Sequence, residues 1–229
     1  MKNVLVTDFS GMLEAEGFLP WLASQGAEVT VRDWRKMEGT NCYCDEAARA
    51  QILALLPESL PRLRWIDTGD YHYMSHLLAT RQKEPFHLVL LDHHPDDQEP
   101  AFGGVLSCGS WVREMRRENP MLRDLLSIGP DEYPSRIPEG WIEGHAGERV
   151  YLSLDKDVMD RAWARTDWSQ GTHSLEQVQA ILREIIGRMD VVALDICGGI
   201  TPEKGGTPED MRINLETDIA LYKFLSACF

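Results

Sequence analysis

No stretch of this sequence approaches the roughly 20 consecutive apolar residues that a membrane-spanning helix needs, so none is expected. The opening MKNVLVTDFSG has no long apolar core either, and no secretory leader is expected. Cysteine is scarce and odd in number: five, at Cys42, Cys44, Cys108, Cys197 and Cys228, with no pair of CxxC motifs. This excludes a disulfide framework and fits free thiols in a reducing, cytoplasmic setting. Cys42 and Cys44, only two residues apart, read as ordinary thiols near a helix start. Positive charge is also short, with 23 Lys and Arg against 37 Asp and Glu, for a net charge of −14. Such a surface repels nucleic acid and anionic membranes, so neither is an expected partner. The glycine pairs 198–199 and 205–206 lack the context of a phosphate-binding loop. There is no internal repeat, low-complexity tract or linker.

The chain that remains is ordinary in bulk: 229 residues, 43% apolar and 26% charged. These values suit one domain over residues 1–229 with a sizeable core. Strand and helix patterns alternate. NVLVTDF, AEVTVRDW, LRWIDTG, FHLVLLD, LRDLLSIG, RVYLSLD and VVALDIC read as strands. Between them, MLEAEGFLPWLASQG, CDEAARAQILALLP, YMSHLLATRQK, SWVREMRREN, SLEQVQAILREIIGRM and LETDIALYKFLSAC read as helices. Ser174 and Gln177 form a capping-box pattern. Residues 129–149, rich in Pro, Gly and Glu, read as a surface loop. Several strands are apolar throughout, as strands covered on both faces must be. The expected fold is α/β, with a mostly parallel sheet of about eight strands between helical layers.

Polar residues gather where the apolar runs stop. Asp8 follows the first strand, and DTGDYH (67–72) follows LRWI. DHHPDD (92–97) follows FHLVLL, SLDKDVMD (153–160) closes another run, and Asp195 lies in ALDICGG. Ligands of open parallel sheets bind outside the carboxyl ends of the strands, so these residues point to one shared site. Clustered carboxylates resist ionising together, and a divalent cation removes that penalty. Oxygen ligands with a minority of imidazoles suit a cation such as Mn²⁺. Six or more ligands suit two ions that share carboxylates and acidify a water between them.

The spacing D-x-H-x-D at Asp92, His94 and Asp96, followed by S-x-D-x-D-x-x-D at Ser153, Asp155, Asp157 and Asp160, resembles the arginase/agmatinase (ureohydrolase) superfamily. Upstream, TGDYH resembles that family's G-G-D-H segment. The resemblance covers roughly residues 60–200. It implies a three-layer α/β/α sandwich and two Mn²⁺ ions per chain. One ion would take His72, Asp92, Asp96 and Asp155; the other would take Asp92, His94, Asp155 and Asp157. A hydroxide held between them and oriented by Asp96 would attack the carbon of a guanidino or amidino group, releasing urea in arginase-like members.

The departures from the family bear on the substrate. Gly69-Asp70-Tyr71-His72 is one residue longer than G-D-H, so His76 competes with the favoured His72. Gly198 stands where arginases carry the glutamate that holds the guanidinium, leaving Glu203 as the nearest acid. SCGSW (107–111) replaces the loop that holds a shuttle histidine in arginases. Asp8, Asn41 and Tyr43 are candidates to line the pocket. A more open site could take a small molecule or an arginine within a peptide, and a homo-oligomer is open. Two other readings stay open: a DHH-type phosphoesterase, suggested by LDHHP, and an arginase-fold protein that binds metal without catalysis. Among the remaining residues, His93 is expected to point away from the site and His87 to lie at the surface. Asp160 is expected to cap the segment after it. His173 could reach the site.

Overall fold

The computed structural model of the chain describes residues 3–101, 103–129 and 133–229. Its strands are β1 (Asn3–Asp8), β2 (Glu28–Asp33), β3 (Tyr43–Cys44), β4 (Leu63–Trp65), β5 (Phe86–Leu91), β6 (Leu106–Ser107), β7 (Leu122–Ile128), β8 (Arg149–Asp155) and β9 (Asp190–Cys197). Its helices are α1 (Met12–Ala15), α2 (Phe18–Ser24), α3 (Glu46–Leu55), α4 (Met74–Ala79), α5 (Trp111–Glu118), α6 (Trp141–Gly144), α7 (Leu175–Arg188) and α8 (Pro208–Cys228). Seven strands form one sheet in the order β2-β1-β4-β9-β8-β5-β7. Every pairing in it is parallel. The other two strands, β3 and β6, form a separate antiparallel ribbon, so the expected sheet of about eight strands is a sheet of seven.

Alternation along the buried strands builds the two cores. Val4, Val6, Val89 and Leu91 pack into one cluster with residues of α1, α2, α7 and α8. Leu5, Leu88 and Leu90 pack on the opposite face with residues of α3, α4 and α5. Successive side chains of a strand point to opposite faces, so a strand apolar at every position requires helices on both. The result is the three-layer α/β/α sandwich. No helix among the described residues is long and apolar enough to cross a membrane.

Local signals set most boundaries. The α7 capping box joins Ser174 and Gln177, and α8 repeats the device with Thr207 and Asp210 ahead of a long amphipathic run. The stretch read as one helix from Met12 is two, because Gly17 adopts φ 91°, a left-handed conformation that ends α1 and opens α2. Residues 129–149 contain the short helix α6. His87 lies within β5 and is buried, against its expected place at the surface. All five cysteines are free thiols.

A candidate metal centre at the strand ends

Sheet register brings the acids together. Leu91 of β5 pairs with Leu154 of β8, which sets Asp92 beside Asp155 one step beyond. The Asp92 amide continues the ladder by donating to the Ile128 carbonyl at 3.1 Å. Past that point the chain turns, and Asp96 takes a left-handed backbone with φ 47°. Its carboxylate is fixed by the indole N–H of Trp111, the first residue of α5, at 2.6 Å. His72 follows the tight turn Gly69–Tyr71 after β4 and leads into α4.

Two groups of donors share Asp92. In the first, His72 Nδ1 lies 3.2 Å from Asp92 Oδ2, 3.1 Å from Asp96 Oδ2 and 3.4 Å from Asp155 Oδ2. In the second, His94 Nδ1 lies 2.9 Å from Asp157 Oδ2 and 3.6 Å from Asp92 Oδ1. The other nitrogen of each ring is occupied: His72 Nε2 meets the Ser153 hydroxyl, and His94 Nε2 meets the Ser169 hydroxyl, both at 2.8 Å. Such outer contacts aim the Nδ1 atoms at the cluster, as they do for metal-ligating histidines. Ligand atoms of His72, Asp92 and Asp96 fall within 4.8 Å of one another, as do those of Asp92, His94 and Asp157. Cys197 comes equally close to His72 and Asp155. Its thiol donates to the Thr68 carbonyl at 3.3 Å, and burial raises its pKa well above the ordinary thiol value, so it keeps its proton.

The electrostatics fit a cation. Four carboxylates lie almost fully buried, and Asp92 Oδ2 has no hydrogen-bond partner. Burial, with repulsion from Asp157 and Asp92, raises Asp155 well above the carboxylate range. Burial and then Asp92 push Asp157 up to about 7, and burial raises Asp96. Burial works against a charged His72, but its contacts with Asp92 and Asp96 prevail and raise it well above the imidazole value. Asp157 and Asp92 push His94 up to about 11. Asp96, Asp155, Asp157 and both imidazoles are thus all shifted toward their protonated forms, and a divalent cation would supply the same positive charge with the carboxylates ionised. Oxygen donors with two imidazoles suit Mn²⁺-like ions.

A cavity of about 230 Å³ opens on this cluster. Beyond His72, Asp92, His94, Asp96, Asp155 and Asp157, its wall includes Tyr43, Gln98, Ser107, Cys108 and Trp168. The loop without a shuttle histidine thus faces the cavity through Ser107 and Cys108. Gln98 and Trp168 escape sequence reasoning. Trp168 sits in an unpatterned loop, and only its 41% exposure, unusual for tryptophan, marks it. Its indole donates to Asp70 at 3.1 Å, and a side chain at Gly69 would strike it at 2.9 Å.

Other candidates fall elsewhere. Asp8 accepts from the Gly11 amide and lies 3.5 Å from Arg35, holding the turn into α1. Asn41 and Glu203 line a separate cavity with Asp70 and Lys204. Gly198 has no room for a side chain, because a Cβ there would lie 2.4 Å from Asp155 Oδ1. His76 faces Glu118 and Arg49, away from the cluster. The sequence pattern also draws Asp195 toward the site, but the structure places it inside the sheet, paired with Arg64 at 3.4 Å and with the Tyr151 hydroxyl. His173 contacts the Ser135 carbonyl, and Asp160 caps the Ala162 amide. The His93 amide donates to Asp157 while its side chain stays off the cavity wall.

No family model matches the chain. It is 29% identical to an uncharacterized protein of Thermotoga maritima over 96% of this chain and 90% of that one. The structure superposes on arginase from Bacillus caldovelox with a TM-score of 0.64 at 13% identity, covering 96% of this chain and 98% of the arginase. Proclavaminate amidino hydrolase from Streptomyces clavuligerus gives a TM-score of 0.62 at 16% identity, over all of this chain and 92% of the other. The chain has the arginase-like fold of the ureohydrolases.

Proposed function

We propose that this chain is a metal-dependent hydrolase of the C–N bond in a guanidino or amidino group, acting with two Mn²⁺-like cations on a small molecule or a peptide-borne arginine. The observation that carries the reading is the set of six donors on an arginase-like fold, His72 facing Asp92, Asp96 and Asp155 and His94 facing Asp92 and Asp157. His72, Asp92, Asp96 and Asp155 would hold one cation. Asp92, His94, Asp155 and Asp157 would hold the other. A bound pair supplies the positive charge that lets water ionise near neutral pH and polarises the substrate.

The chain's own groups do the rest. Ser153 and Ser169 keep both imidazoles aimed inward. Asp96, anchored by Trp111, would accept a proton from the attacking water and return it to the departing nitrogen. Trp168 and Tyr43 wall the cavity, limiting bulk water and offering flat surfaces to a planar group. The missing acid at Gly198 leaves the outer nitrogens of the substrate to neutral partners, so recognition of free arginine by the arginase route is not expected.

The test is urea or ammonia release by Mn²⁺-loaded protein from a panel of free arginine, guanidinoalkyl amines, amidines and arginine-containing peptides. Turnover of at least one member, lowered 100-fold or more in Asp96→Asn, is the expected result. Phosphodiester hydrolysis without any C–N cleavage would overturn the assignment in favour of a phosphoesterase. Inertness toward both classes would favour metal binding without catalysis.

A further inference from the structure

A second cluster of metal-ligating side chains lies at the opposite end of the sheet. His87 is the second residue of β5, five residues before Asp92, hence about 16 Å from it along the strand. His145 ends α6 and Glu148 precedes β8. One ligand atom from each of these three residues lies within 4.8 Å of the others. A fourth donor, Asp124 Oδ2, lies 3.8 Å from His145 Nε2.

The backbone departs from regularity here. Phe86 pairs with Leu122 but Leu88 with Leu125, so both Arg123 and Asp124 of β7 stand opposite His87. An extra residue of this kind re-aims side chains, and such bulges recur beside functional sites. His145 Nδ1 donates to the Trp141 carbonyl at 2.8 Å, which leaves Nε2 with its lone pair toward the cluster. Asp124 is held by the Leu125 amide on its other oxygen at 2.9 Å. His87 Nε2 meets Glu148 Oε2 at 2.5 Å, yet its Nδ1 has no hydrogen-bond partner although the residue is only 8% exposed. A buried ring nitrogen without a partner is costly in either protonation state, so hydrogen bonding alone leaves this imidazole half satisfied.

We infer that His87, His145 and Glu148, with Asp124 as a fourth ligand, form a zinc-class structural cation site tying the α6–β8 connection and β7 to the start of β5. Two imidazoles and two carboxylates make a set that zinc accepts in tetrahedral geometry. The ligands come from three chain segments, so binding there is folding free energy. This site is independent of the cluster at the carboxyl ends of the strands.

The experiment is equilibrium dialysis of the full chain against Zn²⁺ alone, with zinc counted per chain and thermal unfolding followed in parallel. Wild type is compared with His145→Ala and with Glu148→Gln, whose side chain is 53% exposed and whose substitution keeps its size, so that the fold is expected to persist. Zinc bound at the carboxyl-end cluster is common to all three proteins and cancels. The expected result is about one zinc fewer per chain in both variants, or at least tenfold weaker binding of that ion, with a smaller zinc-induced rise in Tm. Equal zinc content and equal Tm shifts in all three would overturn the site, leaving an ordinary His–Glu pair.

Discussion

Asp92→Asn should have opposite effects with and without metal. In the absence of metal, Asp92 Oδ2 is a buried carboxylate oxygen beside Asp155 and Asp157 that accepts no hydrogen bond, its one cationic neighbour being His72 Nδ1 at 3.2 Å, which Asp96 and Asp155 share. A buried unsatisfied acceptor costs about 1–3 kcal/mol, and an amide there removes a charge and can donate to the neighbouring carboxylates. The metal-free variant should therefore equal or exceed wild type by that amount. With cation at about 100 times Kd, wild type gains about 2.7 kcal/mol per ion. For a chain of this length that is roughly 5–11 °C in Tm. The variant, having lost the ligand both groups share, should gain little. Thermal unfolding of both proteins with chelator and with Mn²⁺ gives all four values. A metal-induced shift of equal size in the two proteins would refute the shared role of Asp92.

Gly198→Ala should destabilise the protein by about 2–4 kcal/mol, because φ is +97° and the new Cβ would crowd Asp155 Oδ1 at 2.4 Å and the Lys156 amide at 3.0 Å. Urea unfolding within 0.5 kcal/mol of wild type would count against that packing. Lys156→Met breaks a buried pair at 2.6 Å and leaves the buried Asp218 without its cation, held only through neutral contacts such as the Trp65 indole, a loss of about 3–5 kcal/mol. Adding Asp218→Asn should restore part of it, measured as a double-mutant cycle. Burial and Arg49 lower the pKa of His76 to about 4 despite Glu118. Its folded pKa lies below the unfolded one, so its contribution is present above about pH 6.5 and is lost as pH falls toward 4. The stability difference between wild type and His76→Leu should shrink over that window, and a constant difference would exclude a neutral buried His76.

Much of the site is legible because apolar runs ending in acids mark strand ends, and parallel register does the rest. FHLVLLD and RVYLSLD need only be neighbours for Asp92 and Asp155 to meet. Asp195 shows the limit. It too lies in an apolar run, but it pairs with Ser153, two positions before Asp155, and turns to Arg64 within the sheet. Sequence shows that an acid is near a strand end, not which side of the end it occupies. Gly17 divides one helical pattern into two because its amphipathic period runs on while its backbone turns left-handed. The cavity wall was least visible. β3 and β6 are two residues each, too short for periodicity, yet Tyr43 and Ser107 both line it. The Trp168 loop has no pattern at all.

Electron paramagnetic resonance of Mn²⁺-loaded protein examines the shared-ligand centre itself. Two Mn²⁺ held through Asp92 and Asp155 should give an exchange-coupled spectrum at two equivalents per chain, and His94→Ala, which removes a ligand of one ion only, should return the hyperfine pattern of isolated Mn²⁺. A wild-type spectrum of isolated Mn²⁺ at every loading, or no bound Mn²⁺, would rule out the dinuclear centre and with it the proposed hydrolysis.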